Sequence, residues 1–516
     1  MAGLLLTVLL PAAAAQAAPS ANACDNRNNN TYAKLLECVT LEGVRAHQEQ
    51  FQKIADSNDD PFYPGSRAAG TKGYADSVNY VVGKLGQAGY QVTLNPFQFQ
   101  FVFPALLQQL TPVNAEYETG TFTNSGNGDV TGNVIPVDIN LTPPRASTSG
   151  CEASDFAGLD FTGPSDIALI QRGTCTFAVK ATNAETAGAE AVVIFNQGNT
   201  PDREALIVGT LAPATPGIPV VGASFADGSL LAQPGSTAHV RVLPSQTRTD
   251  VNIIADLPGT NRNNVVMAGA HLDSVHAGPG INDNGSGSAA ILEVALKMAK
   301  LKPENTVRFA WWGDEEGGLV GSTAYVNGLS PAQRAKIALY LNYDMVGSPN
   351  YYFGVYDADQ STYVAPVPVP PGSVAIEDLF ESYYTSVGQR YDDAAFSGRS
   401  DYQAFINNGI PSGGLFTGAE QVKTPAQAAI WGGTAGEPFD PCYHQACDTF
   451  DNVDLHALDI NSDLIAYAQL TYAYSTQAVN GVPGKKVPGS PASLPAPAGP
   501  EGTHPDGGGY APGDAQ

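Results

Sequence analysis

Positive charge is scarce in this sequence. Lysine and arginine together number 25 against 50 aspartates and glutamates, and the formal net charge is −25 over 516 residues. A protein that binds nucleic acid needs a basic face for the phosphates, and electrostatic docking on an anionic membrane needs clusters of lysine or arginine. The composition therefore argues against both kinds of partner.

Cysteine is also rare, and its placement is informative. The six cysteines include no C-x-x-C motif, and they fall into three local pairs: Cys24 with Cys38, Cys151 with Cys175, and Cys442 with Cys447. We expect disulfides between these neighbours, as is usual in an oxidising compartment. The alternatives are a thiolate zinc site or a cysteine nucleophile, which the absence of a C-x-x-C motif and of a leftover cysteine makes less favourable.

Long apolar runs are absent except at the N-terminus. Residues 3–10 form an apolar core, and Ala15 and Ala17 supply small residues for cleavage, so residues 1–23 are predicted to be an export signal. A membrane anchor is the alternative, but the run is shorter than the roughly 20 residues that span a bilayer. We therefore predict a secreted, extracellular protein whose mature form has no membrane contact.

The rest of the chain shows three kinds of sequence pattern. Residues 24–110 and 246–480 alternate strand and helix patterns, which predicts an α/β fold with a mixed, mostly parallel central sheet flanked by helices. Residues 111–245 carry short β-rich runs and one helix over 177–187, which predicts an inserted β-rich domain. Residues 481–516 are rich in glycine and proline and lack Trp, Phe and Cys, which predicts a flexible tail.

Histidine is scarce as well, with seven in the chain, so its positions draw attention. His271 follows a predicted strand over 265–269, and ligands of open α/β sheets bind at the C-terminal ends of strands. Asp273 could accept a hydrogen bond from the second ring nitrogen. Asp283 lies in the turn that opens the next predicted helix. Taken singly, each of these residues could equally be a structural cap.

More acids and a second histidine follow other predicted elements. Asp314, Glu315 and Glu316 come directly after the predicted strand 306–312, and three adjacent acids repel one another unless a cation lies among them. Asp344 follows the next strand, and His444 lies between Cys442 and Cys447.

Two histidines and at least three carboxylates thus come from five separate segments. This set of nitrogen and oxygen ligands suits zinc, and it exceeds the three protein ligands of one catalytic ion. A carboxylate shared between two ions explains the excess and predicts a two-metal hydrolase. The motifs H-E-x-x-H and G-x-S-x-G are absent, which argues against a zincin-type helix and a serine nucleophile.

The five segments together resemble the zinc aminopeptidases of peptidase family M28, and residues 111–245 resemble a protease-associated (PA) domain. The likeness to the peptidases covers about 41–110 and 248–478. It implies a zinc exopeptidase fold, a cis peptide bond between Asp283 and Asn284, and two zinc ions per chain. Asp283 would bridge the ions, one of which would also be held by His271 and Asp344 and the other by Glu316 and His444.

The resemblance implies further roles for residues at the same site. Glu315 would act as the general base on the attacking water, and Tyr443 would donate a hydrogen bond to the developing oxyanion. Arg399 and Phe416 match positions near the substrate, although an arginine among acids is often only a salt-bridge partner. Asp459 and Asp463 resemble a calcium site of the family, but Cys38 stands where its other ligand would lie, so the disulfide is an alternative tether.

The function that follows is the removal of N-terminal residues from peptides or proteins that have a free amino terminus, by a monomeric enzyme. Two alternatives remain on the same scaffold. A carboxypeptidase would need cations for a free carboxylate, for which Arg399 is the only candidate, and a glutaminyl cyclase would keep one metal ion. A receptor-like binding protein without activity is the third alternative, and such a protein would lack some of the ligands.

Overall fold

The computed structural model describes residues 19–490 and 493–503. These residues divide into two compact units, one formed by the chain up to Phe99 and from Arg248 onward, the other by Gln100–Thr247. Most of the predicted export signal, residues 1–18, lies outside the described residues. Among the residues described, no helix has both the length and the apolar character needed to cross a bilayer.

Helices and strands alternate along most of the chain. The helices are α1 (Ala21–Asn26), α2 (Tyr32–Leu36), α3 (Leu41–Asp56), α4 (Lys72–Ala88), α5 (Phe177–Ala187), α6 (Phe225–Leu231), α7 (Gly285–Met298), α8 (Val320–Gly328), α9 (Pro331–Arg334), α10 (Val374–Val387), α11 (Tyr402–Asn407), α12 (Pro425–Trp431), α13 (Leu455–Tyr474) and α14 (Gln477–Asn480). The strands are β1 (Gln91–Phe101), β2 (Leu106–Thr111), β3 (Ala115–Tyr117), β4 (Gly128–Val137), β5 (Asp166–Gln171), β6 (Ala191–Phe195), β7 (Val220–Ala223), β8 (Thr237–Val242), β9 (Gln246–Leu257), β10 (Asn261–His271), β11 (Asn305–Trp312), β12 (Ile337–Tyr343), β13 (Gly354–Tyr356), β14 (Asp392–Ala394) and β15 (Ser412–Phe416).

The first unit is built on an eight-stranded sheet in the order β1-β9-β11-β10-β12-β15-β13-β14. Strand β10 pairs in parallel with β11 and β12, and β12 pairs in parallel with β15. Strand β9 is antiparallel to β11, and β13 is antiparallel to β15. The predicted mixed, mostly parallel sheet is confirmed.

Alternate residues of the central strands enter two different cores. Val266 and Ala268 of β10 pack with residues of α3, α4, α7 and α13, whereas Val265 and Met267 pack with residues of α8 and α11. Successive side chains of a strand point to opposite faces, and both faces are covered by helices here. This explains why β10 and β11 read as nearly continuous apolar runs rather than as alternating ones.

The second unit contains a seven-stranded sheet in the order β3-β2-β8-β4-β5-β6-β7. Strands β4 to β7 pair in parallel, and α5 has the bounds that the sequence predicts. The unit begins at Gln100, earlier than the expected 111, because Leu106–Thr111 pairs with β8 in this sheet. Because β2 begins five residues after the end of β1, the sequence shows no change in composition that would mark the start of the second unit.

The three predicted disulfides are confirmed. Cys24 joins Cys38, Cys151 joins Cys175, and Cys442 joins Cys447. Among the described residues there is no free cysteine.

The described part of the predicted tail, 481–490 and 493–503, contacts the first unit. Glu501 forms an ion pair with Arg390, with its two oxygens 2.5 Å from Nε and Nη2. The Thr503 hydroxyl donates to the Asp392 carboxylate at 2.6 Å, and Val487 is buried. Polar contacts and two aliphatic side chains, Val487 and Leu494, join this segment to the first unit. The composition of the segment, which is rich in glycine and proline, does not indicate these contacts.

Candidate active site

The parallel strands β10, β11 and β12 end at one edge of the sheet, and this edge carries the predicted site. His271 is the last residue of β10, Glu315 and Glu316 follow β11, and Asp344 follows β12. Asp283 lies just before α7, which packs against β10 and β12. The structure thus brings these residues together because adjacent parallel strands present their C-terminal ends to the same side.

The start of α7 approaches the sheet very closely. A Cβ added at Gly287 would lie 2.1 Å from the carbonyl oxygen of Tyr343, so only glycine fits there. The side chain of Asn284 accepts a hydrogen bond from the Gly287 N–H at 2.9 Å and caps the helix. This packing carries Asp283 to the edge of the sheet.

Five side chains form two overlapping groups of possible metal ligands. His271, Asp283 and Asp344 make one group, and Asp283, Glu316 and His444 make the other. In each group the ligand atoms lie within 4.8 Å of one another. Asp283 belongs to both groups, so its carboxylate lies between the two histidines.

The distances define the arrangement further. Asp283 Oδ1 lies 3.1 Å from His271 Nε2, and Asp283 Oδ2 lies 3.3 Å from His444 Nε2. Asp344 Oδ1 is 3.3 Å from His271 Nε2, and Glu316 Oε2 is 3.0 Å from His444 Nε2. The peptide bond between Asp283 and Asn284 is cis, as the family resemblance implies.

The site holds more buried negative charge than its protein neighbours compensate. Glu316 Oε1 and Asp344 Oδ1 are buried and accept no hydrogen bond. Burial and the charge of Asp283 raise the pKa of Glu316 to about 7. Burial raises the pKa of Glu315 well above its usual value, although His271 opposes the shift. Because a bound cation would remove this cost, the residues present fit a pair of divalent metal ions.

The carboxylates of the site also change the pKa of His444. Burial lowers the pKa of His444, but its hydrogen bonds to Asp283 and Glu316 outweigh burial and raise it to about 10. Since a metal ion binds the neutral imidazole, metal binding at this site must release protons.

Neighbouring acids point to different histidines. Glu315 Oε2 lies 3.9 Å from His271 Nε2, whereas Glu316 contacts His444. Both backbone N–H groups donate to the Asp273 carboxylate at 3.3 Å. His271 Nδ1 lies 3.1 Å from the Asp273 carbonyl oxygen and 3.5 Å from Asp273 Oδ1. Asp273 therefore contacts the segments that carry three of the predicted site residues.

Two buried residues at the site were not predicted from the sequence. The fully buried Arg67 donates to the carbonyl oxygens of Leu272, Pro279 and Gly280, in the loop between His271 and Asp283. The Asp448 carboxylate accepts hydrogen bonds from the backbone N–H groups of Asn282 and Asp283 at 2.8 and 2.9 Å. Nothing in the sequence around Arg67 marks it, whereas Asp448 directly follows Cys447.

The disulfide loop between Cys442 and Cys447 carries Tyr443 and His444. His444 has a φ of +56°, in the left-handed region that few residues other than glycine adopt. The rings of Tyr443 and His444 stack with centroids 3.8 Å apart. Such a conformation persists only where the surrounding structure over-determines it, and the short closed loop supplies that constraint.

Arg399 lies at the mouth of the site. Its Nη2 donates to the Tyr443 hydroxyl oxygen at 3.1 Å, and its Nη1 lies 2.6 Å from Glu420 Oε1. Phe416 lines the same pocket, edge-on to Tyr352 at a centroid distance of 6.4 Å. The pocket has a volume of about 420 Å³, and seven of its lining residues are phenylalanine or tyrosine: Tyr352, Tyr356, Tyr363, Tyr402, Phe416, Phe439 and Tyr443.

The predicted calcium residues lie elsewhere, on α13. Asp459 is exposed and Asp463 is half-buried. Burial and the charge of Asp459 raise the pKa of Asp463 to about 7. Within the described part of the chain these two acids belong to no group of three metal-ligating side chains. Calcium at this position therefore stays a prediction.

Comparisons with known proteins give the same identification. The chain matches the model of peptidase family M28 over residues 252–469 and that of the PA domain over 130–231. An aminopeptidase of Pseudomonas aeruginosa is 47% identical over 456 residues, which cover 86% of this chain and 83% of that protein. A probable leucine aminopeptidase 2 of Aspergillus fumigatus is 42% identical over 426 residues, 80% of each chain.

The fold is similar to that of solved enzymes as well. The structure of an aminopeptidase from Aneurinibacillus sp. strain AM-1 is 27% identical and covers 90% of this chain and 99% of that one, with a TM-score of 0.52. The chain belongs to peptidase family M28 and carries a PA domain. The predicted family and the predicted class of enzyme, a peptide hydrolase, are confirmed.

Proposed function

We propose that this chain is a secreted, two-zinc aminopeptidase that hydrolyses the first peptide bond of peptides with a free N-terminus. The observation that supports it most strongly is the position of Asp283, whose two carboxylate oxygens face two different histidines at 3.1 and 3.3 Å. His271 and Asp344 would complete the first zinc site, and Glu316 and His444 the second. When bound, the two ions would polarise the scissile carbonyl and lower the pKa of the attacking water.

Glu315 is the residue best placed to handle the proton. It is buried, belongs to neither ligand group, and lines the pocket beside Asp283 and Asp344. A carboxylate whose pKa is raised by burial is a stronger base than a free one. Glu315 would take a proton from the attacking water and return it to the leaving amine.

Tyr443 is placed to stabilise the oxyanion. Burial and the charges of Asp283 and Glu316 raise the pKa of Tyr443, so its phenol stays protonated. Arg399 donates to the phenol oxygen, which leaves the Tyr443 O–H free to donate to the substrate. A hydrogen-bond donor fixed before the reaction stabilises the charge that develops in the transition state.

The pocket and the disulfides support the remaining parts of the proposal. Aromatic walls, Phe416 among them, favour an apolar side chain at the cleaved residue. The Aspergillus relative is named for leucine, which agrees with such a preference. Three disulfides among the described residues suit an extracellular enzyme.

A panel of chromogenic substrates tests the direction of attack. The purified chain with zinc should hydrolyse leucyl nitroanilide and should not hydrolyse the same compound with an acetylated amine. Release of C-terminal residues from amine-blocked peptides would instead indicate a carboxypeptidase, and cyclisation of N-terminal glutamine would indicate a cyclase. Absence of all three activities in a zinc-loaded chain would favour a binding protein.

A further inference from the structure

A second group of carboxylates lies away from the proposed zinc site, in the same unit. Asp357 and Asp359 follow β13, Glu377 and Glu381 lie one turn apart on α10, and Asp393 lies in the edge strand β14. Glu377 lies with Asp357 and Asp359 in one set of possible ligands and with Glu381 and Asp393 in another, within 4.8 Å in each. We call these five residues the acidic cluster.

One oxygen of the acidic cluster is left without a partner. Asp393 has no solvent-exposed surface, and its Oδ1 is buried and accepts no hydrogen bond. Its other oxygen, Oδ2, accepts from the hydroxyls of Ser361 and Thr362. Burying a carboxylate oxygen without a hydrogen bond costs free energy of folding. The unpartnered Asp393 Oδ1 therefore indicates that a ligand binds among these acids.

The charges around the cluster point the same way. The charged groups that act most strongly on Glu381 are Asp393, Asp378, Asp359 and Asp357, all of them acids. Burial and these neighbours raise the pKa of Glu381 to about 8, and burial and Asp359 raise that of Glu377 to about 9. No salt bridge joins any member of the cluster to a basic residue of the described chain. Protonated carboxyls are the alternative to a cation here.

We propose that the acidic cluster is a calcium site, formed by the carboxylates of Asp357, Asp359, Glu377, Glu381 and Asp393. All of its ligands are carboxylate oxygens, with no histidine or cysteine among them. Such a set suits a hard cation, and calcium takes six to eight oxygens in flexible geometry. An oxygen that already accepts one hydrogen bond, such as Asp359 Oδ1 from the Ser361 N–H at 2.8 Å, keeps a second lone pair for the ion. This site is distinct from Asp459 and Asp463 on α13.

The site would fix two parts of the pocket wall. The Asp357 carboxylate accepts hydrogen bonds from the N–H groups of Thr362 and Tyr363 at 3.0 and 2.6 Å, and Tyr363 lines the pocket. Asp393 lies six residues before Arg399, which also lines it. Calcium would therefore hold the loop 357–363 against α10 and β14 and keep these two side chains in place.

Calorimetric titration of Ca²⁺ into the zinc-loaded full chain, in zinc-containing, calcium-free buffer, tests the proposal. Wild type should bind calcium and gain several degrees in melting temperature. Asp393→Asn and Glu381→Gln should each weaken calcium binding by about tenfold or more, because each removes a charged ligand. The matched control is Asp463→Asn on α13, an acid outside the acidic cluster. It should bind calcium as wild type does.

The melting temperature in calcium-free buffer shows whether a variant that binds no calcium is still folded. Asp393→Asn removes one buried charge from a crowded set, so in calcium-free buffer it should melt no lower than wild type. A crystal of wild type grown with calcium should show the ion among these carboxylates. Absence of calcium binding by wild type at millimolar concentration would overturn the proposal. So would unchanged binding by Asp393→Asn and Glu381→Gln, or loss of binding only in Asp463→Asn.

Discussion

Glu315 and Glu316 are adjacent and have the same charge, yet they contact different groups. Replacing Glu315 with Gln should lower kcat by about 10²–10⁴-fold, the usual loss for a general base, with the zinc content unchanged. Replacing Glu316 with Gln removes a proposed ligand, so activity and part of the zinc should be lost together. Steady-state kinetics and metal analysis of both variants would check this. Loss of zinc from Glu315→Gln with full retention by Glu316→Gln would reverse the two roles.

The side chain of Arg67 supports the site through hydrogen bonds to backbone carbonyl oxygens. Arg67→Met leaves buried carbonyl oxygens of Leu272, Pro279 and Gly280 without a donor, at about 1–3 kcal/mol for each in unfolding free energy. Because this loop joins His271 to Asp283, we also expect zinc affinity to fall by roughly 10–100-fold. Arg67→Lys should recover part of both, since one ammonium group cannot reach three carbonyls in a fixed fork. Chemical denaturation and competition with a chelating dye measure the two effects. Unchanged zinc affinity in the folded Met variant would limit Arg67 to stability.

The site residues differ in how far the sequence alone could identify them. His271 and Asp344 could be found because each ends or directly follows a predicted strand, and Glu315 and Glu316 because adjacent acids at a strand end are unusual. Arg67 could not be found in this way. It reaches the site from the loop between α3 and α4, and only the folded chain brings its guanidinium under carbonyls more than 200 residues away.

At the scale of elements, the loop closed by Cys442 and Cys447 carries two of the predicted site residues. The double change to Ser should lower activity and zinc retention, because Tyr443 and His444 both lie in this loop and His444 holds a left-handed conformation. A loop this short restricts the unfolded chain little, so the melting temperature should change less than the zinc content. The matched control is the double Ser variant at Cys151 and Cys175 in the second unit, which should keep its zinc. Wild-type activity and zinc content in the first variant would remove this role from the loop.

The elements that could be predicted are those with a clear pattern. Strands β10 to β12 read as buried apolar runs, and α5 has the predicted bounds because Thr176 caps it and Gly188 ends it. The second unit begins at Gln100 rather than at the expected residue 111, because β2 follows β1 without a change in composition. The short strands β13 and β14 give too few residues for a period to show, so the acidic cluster that they carry could not be placed from sequence.

At the scale of the whole molecule, the C-terminal segment contributes more than its composition suggests. Ending the chain after Leu494 would remove the Gly502 N–H and the Thr503 hydroxyl from the buried Asp392 carboxylate, along with the ion pair of Glu501. We expect unfolding free energy to fall by about 1–3 kcal/mol, because hydrogen bonds to the buried Asp392 carboxylate are lost, with activity retained. A chain that ends at Thr503 keeps every contact described here and is the matched control. Equal melting temperatures for the two chains would contradict the stabilising role.

The two-zinc site is tested most directly by counting metal ions. Mass spectrometric analysis of the purified, zinc-loaded chain should give two zinc ions per chain for wild type. Asp283→Asn should lose zinc from both positions, because this carboxylate faces both histidines, whereas Glu316→Gln should keep the ion at His271 and Asp344. A fully active wild type with one zinc ion, or an Asp283→Asn variant that keeps two, would contradict the shared site.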